Sequence, residues 1–262
     1  SFTISHSRNP DEAAMTRCGE VGGPWPGPPA DRTAGEGGAL GEFEQRLAER
    51  DHLRRTMRRR RRLLTKAERA GAAQAFAQLA VRSRLLRPGR HVAVYLAHGA
   101  EADLSKLIEA GTAARCILYA PVIADYRSQR MAFVRFDPGA PLRRNRYGIP
   151  EPLSYSHTAV RRLDLVFAPL VAVDERGWRI GSGAGFYDRC FSHLRRGRIW
   201  RRPRLIGVGY EFQRVSAVDF APWDVPLDAV LTEKALYRTA QLQGRLDELL
   251  ADEVGTSDLR RR

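Results

Sequence analysis

The chain has 262 residues, 43% of them hydrophobic, and a formal net charge of +14 that comes almost wholly from arginine. No apolar run reaches membrane-spanning length, and Cys18, Cys116 and Cys190 are odd in number and far apart, which argues against a membrane span, a disulfide framework and a zinc site. The expectation is a soluble, cytoplasmic protein with reduced thiols and no membrane partner, in which the charge makes a polyanionic ligand worth considering.

Ser1 to Leu40 includes GGPWPGPPA and GEGG and few branched apolar residues. Such a stretch buries too little surface to offset its ordering entropy, so residues 1–40 read as a disordered extension. From Gly41, apolar residues recur at roughly helical spacing at Phe43, Leu47, Leu53, Met57 and Leu64, predicting a long charged helix with a narrow buried stripe. Between Arg50 and Arg69 stand ten basic residues and two acids. That run has no aromatics for base stacking, so nucleic acid is not the expected partner. Thr65 followed by Glu68 is a capping-box pattern that opens a second helix through Ala70, Ala73, Phe76, Ala77 and Ala80, closed by Pro88-Gly89.

The first strand is HVAVYL at 91–96, followed by the loop AHGAEAD and a helix from Leu104 to Ala110. Cys116 to Ile123 and Met131 to Phe136 read as strands around a polar turn, and Pro138 to Pro152 as a long loop, a place where function often resides. A helical piece at His157 to Arg162 leads into a strand from Asp164 to Val173. A glycine loop, a helix through Phe191 and Leu194, and a strand from Leu205 to Tyr210 come next. Strands alternating with helices predict a single three-layer α/β domain over 41–240, with a largely parallel, doubly wound sheet flanked by helices and ligand sites at the strands' carboxyl ends. Residues 241–262 read as a C-terminal helix and polar tail.

The loop GSGAGFYDR, Gly181 to Arg189, is the strongest chemical signal. Glycines at 181, 183 and 185 allow φ > 0 and bring backbone N–H groups close to an anion, and a helix starting near Gly185 adds the positive end of its dipole. Asp188, one turn into that helix, could hold Mg²⁺ against the same phosphates. The loop matches neither G-x-G-x-x-G nor the Walker pattern, and alone it also fits a tight strand-to-helix turn. Arg50 and Arg54, four apart on the first helix, could clamp a triphosphate. Glu101 lies just past the first strand, in the same carboxyl-end layer, and Asp224 in APWDVPLDAVLTE offers a second carboxylate.

In this order these pieces resemble the 5-formyltetrahydrofolate cyclo-ligase family, also called methenyltetrahydrofolate synthetases. The matching segments are LRRTMRRRRRLLTKAER, VAVYLAHGAEAD, YGIPEP, DLVFAPLVAVDERGWRIGSGAGFYDR, GVGYEFQRV and PWDVPLDAVLTE, about residues 50 to 233. The resemblance implies a single α/β domain that converts 5-formyltetrahydrofolate to 5,10-methenyltetrahydrofolate with ATP as co-substrate and Mg²⁺ as cofactor, yielding ADP and phosphate. It assigns Arg50 and Arg54 to the ATP phosphates, and Arg179, Ile180, Gly181, Ser182, Gly183, Ala184, Gly185, Phe186 and Tyr187 to the nucleotide loop. Asp188 and Asp224 fall at the metal positions. Glu101 is implied to bond the pterin, Tyr147 to pack near the folate, and Phe186 with Tyr187 to flank the formyl group; Tyr187 and Arg54 are the implied catalytic residues.

Two positions depart from the family pattern. Arg50 stands where lysine is usual, and Ala184 where glycine or lysine is usual; a Cβ there costs about 1 kcal/mol or more if the loop needs φ > 0. These departures and the arginine run leave open a diverged RNA- or folate-binding protein without turnover. A phosphotransferase on another small molecule ranks below both, since no residue stands out to activate a hydroxyl. A monomer and a homodimer are equally compatible with the sequence.

Overall fold

The computed structural model describes residues 36–153, 157–195 and 203–240; Cys18, most of the expected extension and the expected C-terminal helix and tail lie outside them. Residue contacts divide the chain into two units, Ser1–Glu44 and Gln45–Arg262. Of the first, only the helical residues 36–44 are described. The second carries the sheet.

Helix α1 (Glu36–Leu63) begins inside the stretch read as extension. Its expected apolar stripe is only half buried: Met57 is enclosed and Leu53 and Leu64 pack partly, whereas Leu47 is 47% exposed. Helix α2 (Lys66–Arg82) opens with the predicted capping box, in which the Thr65 hydroxyl accepts from the Glu68 N–H and the Glu68 carboxylate accepts from the Thr65 N–H at 2.7 Å. Strand β1 (His91–Ala93), helix α3 (Ser105–Ala113), β2 (Ile117–Asp125) and β3 (Arg130–Arg135) follow. Then come β4 (Leu142–Arg144), β5 (Pro150–Pro152), β6 (His157–Thr158), β7 (Leu165–Pro169), β8 (Ala172–Val173) and β9 (Arg179–Ile180). Helix α4 (Phe186–Phe191), β10 (Arg204–Val208), β11 (Ala229–Leu231) and β12 (Leu236–Arg238) complete the described chain.

Eight strands form one sheet in the order β12-β11-β10-β7-β1-β2-β3-β6. The central pairings, β11 with β10, β10 with β7, β7 with β1 and β1 with β2, are parallel, and the marginal ones are antiparallel. Because side chains alternate along a strand, the near-continuous apolar runs feed both faces. Val92, Leu165, Phe167, Ile206 and Leu231 pack with Phe76 and Ala80 of α2 and Leu107 of α3, whereas Ala93, Val166, Ala168, Leu205 and Val230 pack with Phe191 and Leu194. This is the expected α/β architecture.

Three local expectations change. The strand expected from Asp164 to Val173 stops at Pro169, and Ala172–Val173 belongs to a separate hairpin with Arg179–Ile180, where the chain leaves the sheet edge. His157–Thr158 is not helical but pairs with Val134 and Phe133 at the sheet margin, and only Val160–Arg162 forms a 3₁₀ turn. The loop Pro138 to Pro152 contains the hairpin β4–β5, in register from Leu142 with Pro152 to Arg144 with Pro150. Proline at both ends of β5 suits a two-stranded edge, where no continuous ladder needs the missing N–H.

The β8–β9 turn depends on Gly177, which has φ +89° and packs so closely that a Cβ would run into the Leu227 carbonyl oxygen. Gly177→Ala is therefore expected to cost roughly 2–4 kcal/mol from left-handed strain plus backbone displacement. Urea unfolding checks this; a loss under about 0.5 kcal/mol, the range of ordinary surface changes, would contradict the packing argument.

Candidate active site

Strands β1 and β7 are neighbours, but β1 crosses through α3 to β2 on one side while β7 leads through α4 to β10 on the other. Ligand crevices in open parallel sheets form where the winding reverses in this way. The chain leaving β1 carries Tyr95 and the loop His98–Glu101; the chain leaving β7 carries Leu170, the β8–β9 hairpin and then the glycine loop.

Within that loop Gly183 has φ +115° and Gly185 φ +65°, while Ala184 is not among the residues with positive φ. The strain considered for Ala184 is therefore absent: the glycines on either side take the left-handed turns. Gly185 caps α4, and the Arg189 guanidinium folds back to donate to the Ala184 carbonyl at 2.6 Å and to the Gln129 side chain. Helix α4 has only 6 residues, so little macrodipole supports an anion, and side-chain charge must supply most of the field.

That charge comes from α1. Arg50, Arg54, Arg58 and Arg61 lie at i, i+4, i+8 and i+11 and line one face of the helix. Arg54 Nε donates to the Gly181 carbonyl at 3.1 Å, Arg58 Nη2 to the Ser182 carbonyl at 2.8 Å, and Arg61 Nη1 to the Leu170 carbonyl at 3.3 Å. Arg50 Nη1 bonds Asp224 Oδ2 at 2.8 Å and the Asp219 carbonyl at 2.6 Å. Asp51 pairs with Arg54. Burial pulls the Arg54 guanidinium below its usual pKa, and repulsion from Arg50 and Arg58 adds to this against the attraction of Asp51.

The two expected metal carboxylates meet around Val225. Asp188 Oδ1 accepts from Arg179 Nη2 at 2.8 Å and from the Val225 N–H at 3.1 Å; Asp224 Oδ2 accepts from the Ala221 N–H at 2.9 Å as well as from Arg50. Arg179 also donates to the Val225 carbonyl. Each carboxylate keeps a second oxygen without a protein hydrogen bond among the described residues. The buried Asp174 positions both segments: its Oδ1 accepts from the N–H groups of Arg176 and Trp178, and its Oδ2 from the Val218 N–H at 3.2 Å and the Arg176 guanidinium. It thereby ties the turn before the glycine loop to the segment leading to Asp224.

Across the crevice, Glu101 accepts from the His98 N–H at 3.0 Å. Burial raises its pKa above the usual carboxylate range, opposed by that hydrogen bond and by the charges of Arg61, His98 and Arg58. The Tyr187 hydroxyl is buried without a hydrogen-bond partner among the described residues, and burial, with Glu101 nearby, raises its pKa well beyond that of an ordinary phenol. Tyr187 is thus a protonated donor at every physiological pH. Tyr147 is 48% exposed and meets Phe186 edge-on, ring centroids 6.3 Å apart, and Tyr126 at 5.7 Å. A Cβ at Gly148 would lie 3.5 Å from His98 Cε1, so the Tyr147 loop passes beside the loop that carries Glu101.

Hydrogen bonds thus join Arg50 to Asp224, Arg54 to the glycine loop and Arg179 to Asp188, and Glu101 interacts electrostatically with Tyr187, whereas Ile180 is 1% exposed and packs in the core with Met57, Val171 and Val218. Sequence reasoning missed Arg58 and Arg61, although the spacing 50/54/58/61 was present inside the arginine run. It also missed Asn145 and Glu151: Asn145 Oδ1 accepts from the Tyr147 and Ile149 N–H groups, and Glu151 accepts from Asn145 Nδ2 and the Ile123 N–H, fastening the Tyr147 loop to β2.

A carboxyl with a raised folded-state pKa makes the folded state bind more protons than the unfolded one, so stability falls as pH rises from the ordinary carboxylate range through the folded pKa. Glu101→Gln, which keeps an acceptor for the His98 N–H, is expected to raise the melting temperature of the ligand-free protein at pH 7. The gain should shrink as pH is lowered toward 4.5, the ordinary value for the group. Thermal unfolding of both proteins across that range checks this; a lower melting temperature for the variant at pH 7 would contradict it.

The family model for 5-formyltetrahydrofolate cyclo-ligases matches residues 46–233. A 5-formyltetrahydrofolate cyclo-ligase of Haemophilus influenzae is 32% identical over 186 residues, covering 70% of this chain and 96% of the relative. One of Escherichia coli K12 is 34% identical over 188 residues, covering 69% and 98%. Among solved structures, the 5,10-methenyltetrahydrofolate synthetase of Aquifex aeolicus superposes with a TM-score of 0.58 at 26% identity, covering 73% of this chain and 93% of that one. Nearly the whole length of these relatives is spanned, and the matched region contains every residue of the crevice described above. The chain belongs to the 5-formyltetrahydrofolate cyclo-ligase family.

Proposed function

We propose that the protein cyclises 5-formyltetrahydrofolate to 5,10-methenyltetrahydrofolate at the β1/β7 crevice, consuming ATP in the presence of Mg²⁺ and releasing ADP and phosphate. The observation that carries this reading is the convergence there of a glycine loop, an arginine row, two carboxylates and the half-buried acid Glu101, which interacts with Tyr187.

The reaction must remove an N-formyl oxygen, a poor leaving group. Transfer of the γ-phosphoryl group to that oxygen turns it into phosphate, the neighbouring N10 attacks the formyl carbon, and phosphate departs as the five-membered ring closes. Ring closure is intramolecular, so the protein's task is to hold the reactants and neutralise charge. Arg50 and Arg54 bind the phosphates together with the backbone of Arg179 to Tyr187, and Arg54, already against Gly181, faces the group in transfer. Tyr187 donates its phenolic hydrogen toward the formyl oxygen. Glu101 accepts from the pterin's N–H groups, and Tyr147 and Phe186 cover flat rings.

The donor set fits a divalent cation. Asp188 and Asp224 each have an oxygen to spare, and two carboxylates completed by substrate phosphates suit Mg²⁺ better than an all-protein cage. Bound there, Mg²⁺ would neutralise phosphate charge during transfer. Arg50 and Arg179, which hold these carboxylates, are then free to turn toward phosphate oxygens. The arginine run gives the RNA-binding alternative little support: Arg50, Arg54, Arg58 and Arg61 are engaged with the crevice loops, and Arg60 lies over the Phe212 ring at 4.5 Å.

Purified protein given 5-formyltetrahydrofolate, ATP and Mg²⁺ is expected to show an ATP-dependent rise in the near-ultraviolet absorbance of the methenyl product. Asp188→Ala should lower kcat/KM by about 100-fold or more. Absence of product, with the variant indistinguishable from the parent in nucleotide binding, would refute the proposal.

A further inference from the structure

Three buried side-chain polar atoms have no hydrogen-bond partner among the described residues: Arg61 Nε, Tyr187 Oη and Tyr210 Oη. They are electrostatically joined, since Arg61 and Tyr187 both act on Glu101, and Arg61 acts on Tyr210. Buried polar groups are almost always paired, so two orphans that interact with one acid, Arg61 Nε and Tyr187 Oη, mark a place where a ligand would complete the bonding; Tyr210 is joined to them only through Arg61.

Arg61 is the unexpected member. It is 7% exposed, it forms no ion pair among the described residues, and its one hydrogen bond uses Nη1 on the Leu170 carbonyl. Leu170 is fastened independently, its carbonyl also accepting from Gln213 Nε2 at 3.0 Å, so capping that oxygen does not account for a whole buried guanidinium. Arg61 stands at the carboxyl end of β7 and Glu101 just beyond that of β1. The pair thus offers two carboxylate acceptors and, beside them, an N–H donor.

Resting on the folate reading above, we infer that Arg61 is a specificity-determining substrate contact, whose Nε–H donates to the 4-oxo group of the pterin while Glu101 accepts from its N3–H and 2-amino groups. The pterin edge presents donor, donor, acceptor in sequence, and Glu101 with Arg61 presents acceptor, acceptor, donor. Glu101 alone satisfies only the first two. Arg61 therefore selects for a 4-oxo pteridine over a 4-amino one, because a 4-amino group would put a donor against a buried donor.

The test compares equilibrium binding of 5-formyltetrahydrofolate and its 4-amino-4-deoxy analogue to the wild-type protein, Arg61→Met and Arg61→Lys, without ATP. The wild type is expected to prefer the 4-oxo ligand by about 10- to 100-fold, the span of a hydrogen bond to a charged group. Because Glu101 contributes to that preference too, the readout is its change on removing Arg61. Arg61→Met should reduce the ratio several-fold, chiefly by weakening the 4-oxo ligand, and Arg61→Lys, which keeps the cation but not the Nε–H, should also reduce it. A wild-type ratio near one, or an unchanged ratio in whichever variant retains the parental circular dichroism spectrum, overturns the assignment. A wild type that binds neither pterin overturns the folate reading itself, a result distinct from both.

Discussion

Adjacent parallel strands wound in opposite directions leave a gap that no crossover can cover, and the organisation of this protein follows from that constraint. Strand β1 sends its connection over one face and β7 over the other, so both faces are buried while the carboxyl edge between them stays open. The short strands carry the same requirement in their composition. Val92, Ala93, Leu165, Val166 and Phe167 are all almost fully enclosed, with no polar side to turn to water. Chemistry is thereby confined to the loops that leave the edge, and each segment named in the proposed reaction emerges from it or lies across it.

Helix α1 is the element that lies across it, and it does so with guanidinium groups where most helices would use an apolar stripe. Arginine suits this duty because its planar fork bonds a carbonyl with one nitrogen and leaves others for a neighbour. The arrangement concentrates like charge: Arg54 feels both Arg50 and Arg58, and burial works against its charged form. Backbone carbonyls of the glycine loop and the carboxylates of Asp51 and Asp224 offset that repulsion. In the proposed reaction an anion would take up this positive charge by exchanging partners, with little new ordering of side chains.

Local patterns made much of this legible in the sequence. The Thr65–Glu68 box, the alternation of strands and helices, and the glycine loop are encoded in contiguous residues, and each appears where its chemistry puts it. Legibility ended where the signal was masked or the cause non-local. Within Asp164 to Val173 the one local mark of the break is Pro169 itself, which has no N–H for a central ladder, and the apolar residues on either side of it masked that signal. His157–Thr158 is a strand only because Phe133 and Val134 offer an edge. Arg58 and Arg61 were hidden by their surroundings, since in a run of five arginines composition cannot distinguish the inward residues from the outward ones. Ala184 was a false alarm of the same origin: whether a position needs left-handed backbone depends on the loop's path, and here Gly183 and Gly185 carry it.

Asp174 holds the turn that precedes the glycine loop and, through the Val218 N–H, the segment that ends at Asp224. The two carboxylates proposed to share a cation lie 36 positions apart in sequence, Asp188 and Asp224, yet their supporting segments hang from a single side chain. In mechanical terms Asp174 is a common pivot with two lever arms, and a small play at the pivot becomes a larger separation at the tips. The tolerance of the site is then set by a buried residue with no part in the reaction. A change at Asp174 would therefore disturb the supports of both carboxylates at once.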